Sequence, residues 1–199
     1  MNSFTSLPQS PTICIYHTGN DWDHYLIFAI TEINSGLYPS LNNVTFTPKY
    51  LYADPYSPYV EGEAQSVFST NYPTCHAFVG PAWTTQLSAV GEWAGLAHKP
   101  MVSGGATSPI FALDNYNYVS RTIPGELNVL EAFVQLIVEY NLSKINIVYA
   151  NDEYGVSVVE ALIEMSLGKF EVELIRSFES VEDVESIQLV LDDLEASIT

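Results

Sequence analysis

The chain has 199 residues, 47% of them hydrophobic and 15% charged, which is typical of a globular protein with a substantial core. Six Lys and Arg stand against 24 Asp and Glu, giving a formal net charge of −18. This charge repels polyanions and argues against nucleic acid as a partner. No apolar run reaches the roughly 20 residues of a membrane span, and the amino terminus shows neither the cationic nor the apolar region of a signal peptide.

The first part of the chain alternates between strand-like and helix-like patterns. Residues 1–11 show neither pattern and are interpreted as an unstructured leader. The run TICIYHT at 12–18 is β-branched and aromatic and is followed by glycine, which predicts a buried parallel strand. The patterns that follow predict a helix ending near Gly36, strands at 45–52, 76–79 and 100–103, and helices at 59–70 and 84–96.

Beyond residue 116 an extended stretch interrupts the alternation, and we interpret 117–124 as a strand crossing between two lobes. Helix and strand patterns then resume, with strands predicted at 145–149 and 171–178. Strands that alternate with helices predict the α/β class with two doubly wound parallel-sheet lobes, at 12–116 and 125–199. Because two strands leave apolar edges unpaired, we expect the second lobe to be incomplete and the chain to be the front part of a longer protein.

The cysteines and the glycosylation sequons carry weak signals. Cys14 and Cys75 allow one disulfide, but both lie in or beside strands, which favours two buried, unbonded side chains. Asn43 and Asn141 begin Asn-X-Ser/Thr sequons in predicted turns, where a glycan would project. The four histidines are scattered singly, so no metal site and no cofactor is predicted.

Three predicted strand-to-helix turns carry chemistry suited to a small ligand, because helix amino termini present free N–H groups beyond the carboxyl ends of strands. These turns are 80–85 (GPAWTT), 104–107 (GGAT) and 151–155 (NDEYG). Each has a plain structural alternative as a helix cap or a tight turn. We expect the three to converge on one interlobe cleft, which favours binding over packing.

Five segments of the chain resemble, in order and spacing, a known family. They resemble the receptor ligand-binding region related to type I periplasmic binding proteins. The resemblance runs from about residue 12 to the end and rests on AITEINSG (29–36), HAFVGPAWTTQLSAV (76–90), KPMVSGGATSPIF (99–111), YNYVSRTIPGELN (116–128) and INIVYANDEYGVSVVEAL (145–162). The family includes amino-acid-binding bacterial proteins, class C G-protein-coupled receptor ectodomains and natriuretic-peptide-type guanylate cyclase ectodomains.

The resemblance implies roles for residues of the first two turns. Thr84 and Thr85 match the hydroxyl residues that take the carboxylate of an amino-acid ligand. Gly105 and Thr107 match the turn that contributes backbone and a hydroxyl to the ligand's carboxylate and ammonium. Gly105 supplies only backbone where some members have a serine.

Further roles fall on residues nearer the carboxyl terminus. Glu126 is implied to balance the ligand's ammonium, and Tyr154 to close over the ligand from the second lobe. Trp83 stands where members usually have a small residue, and this departure predicts a narrower mouth to the cleft.

The family implies a receptor's extracellular sensor domain that binds a small amino-acid-like ligand and signals by cleft closure. It would lie outside the plasma membrane, pair as a homo- or heterodimer, and be joined to the membrane through segments absent from this chain. A guanylate cyclase ectodomain and a soluble solute-binding protein of a transporter are the alternatives. An enzyme is not expected, because no histidine lies in the three turns to form a nucleophile-base pair.

Overall fold

The computed structural model describes residues 10–17, 22–41, 44–179 and 184–198. Its chain divides into two compact units. Unit 1 comprises the residues up to 106 together with Asp114–Ile123, and unit 2 comprises Thr107–Leu113 together with the residues from 124 onward. Both units contain parallel strands joined by helices, so the predicted α/β class is confirmed.

Unit 1 is built on a five-stranded parallel sheet in the order β2-β1-β3-β4-β5. The strands are β1 (Thr12–His17), β2 (Thr47–Tyr52), β3 (Ala77–Val79), β4 (Met101–Ser103) and β5 (Val119–Arg121), and the helices are α1 (Trp22–Asn34), α2 (Val60–Asn71) and α3 (Thr84–Leu96). Apolar residues of the inner strands meet those of α2 and α3 in a core that includes the fully buried Ile15, Phe68, Phe78, Leu87 and Met101. Burial of these side chains is the main stabilising term for the unit.

The position of β5 corrects the interpretation of 117–124 as a crossing between lobes. Val119 pairs with Met101 in parallel register, and the Met101 amide donates to Tyr118 O over 2.9 Å. The stretch therefore completes the sheet of unit 1. The sequence predicted a strand here but could not reveal its partner, because the pairing is made with a segment that is separated from it in sequence.

Unit 2 contains a two-stranded parallel sheet and three α-helices among the described residues. Its elements are α4 (Glu126–Glu139), β6 (Lys144–Ala150), α5 (Glu153–Ser166), β7 (Glu171–Phe178) and α6 (Val184–Ile198). A compact core forms between α4, β6 and α5 from Leu130, Val134, Ile147, Val159 and Leu162. The apolar face of α4 is thus the face that packs.

The segment Thr107–Leu113 follows β4 in sequence but belongs to unit 2. Ser108 is fully buried, its Oγ lies 2.7 Å from Ser157 Oγ of α5, and it also accepts from the Ile110 amide over 3.2 Å. Phe111, in the short 3-10 helix Pro109–Ala112, is 7% exposed. These side-chain contacts hold the segment in unit 2. Because Ser108 and Ser157 are far apart in sequence, local sequence patterns placed the end of the first lobe at residue 116 instead.

Cys14 of β1 and Cys75, two residues before β3, form a disulfide with a Cα–Cα distance of 5.7 Å. Both residues are wholly buried. The sequence had favoured two unbonded cysteines. The difference arises because β1 and β3 are neighbours, with Cys14 paired to Phe78, and this brings the residues just before β3 close to β1.

One of the two sequons lies within the described residues. Asn43 lies outside the described residues, as do residues 1–9 of the predicted leader. Asn141 is exposed in the turn after α4, where its backbone adopts a positive φ of 54°. In the described part of the chain, no helix has the length and apolar character needed to cross a membrane.

Candidate functional site

The strand order of unit 1 reverses between β1 and β3. In open parallel sheets, ligands bind beyond the carboxyl ends of the strands at such a switch point, since the connections on either side leave in opposite directions. The turn after β1 falls at 18–21, outside the described residues. The turn after β3 is described and carries two of the residues predicted to bind a ligand.

This turn runs from Gly80 to Trp83 and ends where α3 begins at Thr84. Gly80 has a φ of 81°, a conformation that glycine adopts without steric cost. Trp83 is the extended residue before the helix and makes no side-chain capping bond, so it does not use up the first amides of α3. Thr84 is 7% exposed and Thr85 is half-buried, which makes Thr85 the more accessible of the two predicted carboxylate contacts.

The turn after β4 packs directly on the turn after β3. A Cβ placed on Gly105 would lie 2.6 Å from Ala82 O, a distance that real side chains do not tolerate. Ser103 is fully buried; its Oγ donates to Pro81 O over 2.7 Å and accepts from the Ala106 amide over 3.3 Å. Two of the three predicted turns thus meet within unit 1, and the packing explanation for Gly105 is sufficient by itself.

Ser103 supports the two turns of the candidate site, and the sequence interpretation missed it. Its hydroxyl joins two turns that are about twenty residues apart in sequence. The available signal was a lone hydroxyl at the last position of an apolar strand, directly before Gly104. Burial of such a group requires hydrogen-bond partners, and the neighbouring turn provides them.

Thr107, Glu126 and Tyr154 form a hydrogen-bonded cluster in unit 2. Glu126 Oε1 accepts from Thr107 Oγ1 over 2.7 Å and from Tyr154 OH over 2.7 Å. The Glu126 amide also donates to Thr107 O over 2.9 Å. Three residues predicted to contact the ligand are thereby brought together, although they are widely separated in sequence.

The local backbone positions both ends of this cluster. Glu126 is the first residue of α4, so its side chain projects from the amino-terminal end of the helix. On the other side, Asp152 caps α5 by accepting from the Gly155 amide over 2.7 Å, which orients the first turn that carries Tyr154. Gly155 is buried against the Ala150 carbonyl with no room for a Cβ. The sequence NDEYG is therefore a close strand-to-helix turn.

The pKa of Tyr154 lies above its usual value of 10.0. Burial of the hydroxyl is the largest cause, followed by the hydrogen bond to Glu126 and the negative charge of that carboxylate. Tyr154 is consequently a neutral hydrogen-bond donor at physiological pH. Its ring is 38% exposed, so part of it is accessible to a ligand.

Trp83 forms an edge-to-face pair with Tyr56, and their ring centroids are 5.6 Å apart. Tyr56 lies in the loop between β2 and α2 and was not predicted as a site residue. Both residues are exposed, Trp83 at 44% and Tyr56 at 79%. The signal available in the sequence was an aromatic residue between two prolines, Pro55 and Pro58.

Unit 2 also contains an open apolar groove of about 690 Å³ along β6, lined by α4, β6 and α5. Its wall is dominated by side chains such as Phe133, Leu136 and Val158. Among the described residues, β6 is hydrogen-bonded to β7 on one edge only. The groove thus accompanies the unpaired apolar edge that the sequence led us to expect, and Tyr154 of the polar cluster is among its lining residues.

A family model described as the receptor family ligand-binding region matches residues 23–196, most of the chain. The chain belongs to this family. Among curated proteins, glutamate receptor 3.7 of Arabidopsis thaliana is 31% identical over 86 residues. The aligned part covers 43% of this chain and only 9% of that receptor, so the chain is similar to a small part of a much longer protein.

Membership in the receptor ligand-binding region family confirms the resemblance drawn from the sequence motifs. All six residues predicted to contact the ligand fall within the matched segment. The ligand itself is not determined by the family.

Proposed function

We propose that the chain is the extracellular sensor of a membrane receptor and binds an amino-acid-like ligand between its two units. The hydrogen-bonded cluster of Thr107, Glu126 and Tyr154 is the observation that carries this proposal. Receptor ligand-binding domains typically lie outside the cell, and the relative named a glutamate receptor supports an amino-acid ligand. No enzymatic step is part of the proposal.

The unit 2 cluster is suited to an ammonium group. Both donors to Glu126 Oε1 are neutral hydroxyls, so these bonds orient the carboxylate without cancelling its charge. A carboxylate has about four lone-pair positions, and two neutral donors leave acceptor capacity for a third. A ligand ammonium would add a charge-assisted hydrogen bond, which is roughly twice as strong as a neutral one.

The turn after β3 in unit 1 is suited to the ligand's carboxylate. The first amides of α3 have no partner within the helix, and the helix dipole favours negative charge at this end. Thr85 adds a hydroxyl that is accessible beside those amides. Gly105 keeps the neighbouring turn close to Ala82 and would offer backbone to the ligand. Each unit would thus bind one of the two charged groups of an amino acid.

Signalling would follow from this division of contacts. A ligand that contacts both units binds most tightly when both sets of contacts are made. It therefore increases the population of the closed cleft. In the proposed receptor, closure would be passed through a homo- or heterodimer of ectodomains to parts of the protein beyond this chain. The exposed Asn141 would be a glycosylation site on the extracellular surface.

Isothermal titration calorimetry of the purified chain against the L-amino acids tests the proposal. We expect at least one amino acid to bind, and Thr107→Ala to weaken it about tenfold because a hydroxyl that orients Glu126 is lost. Thr70→Ala is the matched control, since its exposed hydroxyl bonds only within α2, to Ser66 O. A chain that unfolds cooperatively by circular dichroism yet gives no heat with any amino acid would refute the proposal.

A further inference from the structure

We infer that the ligand presents a positively charged side chain to unit 1, and that Trp83 and Tyr56 select it. This inference rests on the proposed function, because it names the ligand class for the same site. It is carried by the geometry of the aromatic pair and by the placement of every Lys and Arg in the chain.

The aromatic pair offers ring surface to solvent at the proposed ligand position. Trp83 is 44% exposed and Tyr56 is 79% exposed, and they meet edge to face. Trp83 directly precedes Thr84 and Thr85, so the pair lies next to the proposed carboxylate contacts. The face of an aromatic ring is electronegative and attracts cations, most strongly in tryptophan.

Side chains of the unit 1 core hold the Tyr56 loop in place before any ligand arrives. Gln86 of α3 is buried and donates from Nε2 to Ala53 O over 2.8 Å. Glu63 of α2 accepts from Ser57 Oγ over 2.5 Å and from the Asp54 amide over 3.3 Å. A loop fixed on both sides of Tyr56 loses little entropy when a ligand binds, which is the property of a built recognition surface.

The chain has no Lys or Arg between Lys49 and Lys99. This interval contains the aromatic pair, the turn after β3 and all of α2 and α3, and it includes four carboxylates, at Asp54, Glu61, Glu63 and Glu92. A ligand with an acidic side chain would therefore find excess negative charge and no counter-ion on these elements. Burying an unpaired charge in such a place is costly.

The two flanking lysines are directed to the other end of the sheet. Lys99 donates from Nζ to Cys75 O over 2.7 Å, and Lys49 donates from Nζ to Thr74 Oγ1 over 3.4 Å. Thr74 and Cys75 both precede β3, whereas the proposed ligand turns follow β3 and β4. Neither lysine is positioned to neutralise a ligand at the carboxyl ends of the strands.

The remaining cations lie outside this interval. Arg121 is the last residue of β5 and is in register with Ser103 at the carboxyl-end edge of the sheet, but β4 separates it from β3 and it has an interaction partner within the protein. In unit 2, Lys144 pairs with Glu173 over 2.8 Å at the amino end of the sheet, Lys169 lies two residues before β7, and Arg176 pairs with Asp193 of α6. A cationic side chain on the ligand would meet both the aromatic faces and the negative field of a chain with net charge −18.

Calorimetry with three probes of similar size tests the inference: L-arginine, its neutral isostere L-citrulline, and L-glutamate. We expect arginine to bind about tenfold more tightly than citrulline, and glutamate to bind more weakly than both. Trp83→Leu should weaken arginine about tenfold while changing citrulline by less than about twofold. Trp93→Leu is the matched control, because Trp93 is 45% exposed on α3 and lies outside the proposed ligand turns.

The possible outcomes separate the inferred ligand class from the proposed function on which it rests. Glutamate binding as tightly as arginine, or citrulline binding as tightly as arginine, would overturn the inference and leave amino-acid sensing intact. Equal loss of arginine affinity in Trp83→Leu and Trp93→Leu would remove the role of the aromatic pair. Absence of binding to any amino acid by the folded chain would defeat the proposed function and the inference together.

Discussion

Glu126 joins the unit 2 cluster, since one of its oxygens accepts from both Thr107 and Tyr154. We expect Glu126→Gln to lower the pKa of Tyr154 toward 10.0, because the variant removes the negative charge while leaving a polar group of the same shape. Carbon-13 NMR of the tyrosine rings during an alkaline titration measures this pKa. Glu131→Gln, an exposed change farther along α4, is the control and should leave the pKa of Tyr154 as it is.

The same shift sets the sign of a pH effect on stability. Because the pKa of Tyr154 is higher in the folded chain than in the unfolded chain, its contribution is complete below about pH 10 and is lost as the pH rises through the folded pKa. Glu126→Gln should therefore make the stability less steeply dependent on pH above 10. An unchanged Tyr154 titration in Glu126→Gln would show that the hydrogen bond does not persist in solution.

Ser103 joins the two turns of unit 1 that are proposed to bind the ligand. Ser103→Ala removes the donor to Pro81 O and an acceptor for the Ala106 amide, all in a fully buried position. We expect the free energy of unfolding to fall by about 1–3 kcal/mol, the cost of leaving buried polar groups unpaired. Urea denaturation measures it. Ser120→Ala, at an exposed position of β5, should change stability by less than about 0.5 kcal/mol, and an equal effect of both variants would contradict this role.

At the scale of elements, the disulfide ties β1 to the residues before β3 across a sequence separation of 61. Closing so long a loop restricts the unfolded chain, so reduction should lower the free energy of unfolding by about 3–4 kcal/mol. Urea denaturation with and without a reductant measures the difference. The Cys14→Ala and Cys75→Ala double variant should be insensitive to reductant, and an oxidised chain equally insensitive would show that the bond does not form.

The helices and the longer strands could be predicted from the sequence because their apolar periodicity is local. The α3 boundaries agree with the predicted 84–96, and β7 with the predicted 171–178. The start of α5 at Glu153 follows from the Asp152 cap, which apolar periodicity does not show. Local patterns therefore recover the α/β class and most of the elements.

What the sequence could not reveal depends on contacts between distant segments. The pairing of β5 with β4, the docking of Ser108 on Ser157 and the disulfide each join parts of the chain that share no local pattern. For the site, family resemblance pointed to Thr107, Glu126 and Tyr154, which the fold brings together. Tyr56 was not predicted, because its contact with Trp83 joins segments that share no local pattern.

At the scale of the whole molecule, the relevant property is the net charge of −18. A field of this sign steers cations toward the protein and repels anions, and salt screens it. None of the six Lys and Arg lies between Lys49 and Lys99, the interval that contains the aromatic pair, and this agrees with the proposed preference for a cationic ligand.

The most direct test of the central claim, that residues of both units hold one amino-acid ligand, is a single NMR titration with L-arginine. The indole N–H of Trp83 reports on unit 1 and the ring carbons of Tyr154 report on unit 2; Trp83→Leu and Tyr154→Phe assign the signals. The account predicts that both signals shift with the same dissociation constant. Movement of one signal alone, or of neither, in a chain that unfolds cooperatively would contradict it.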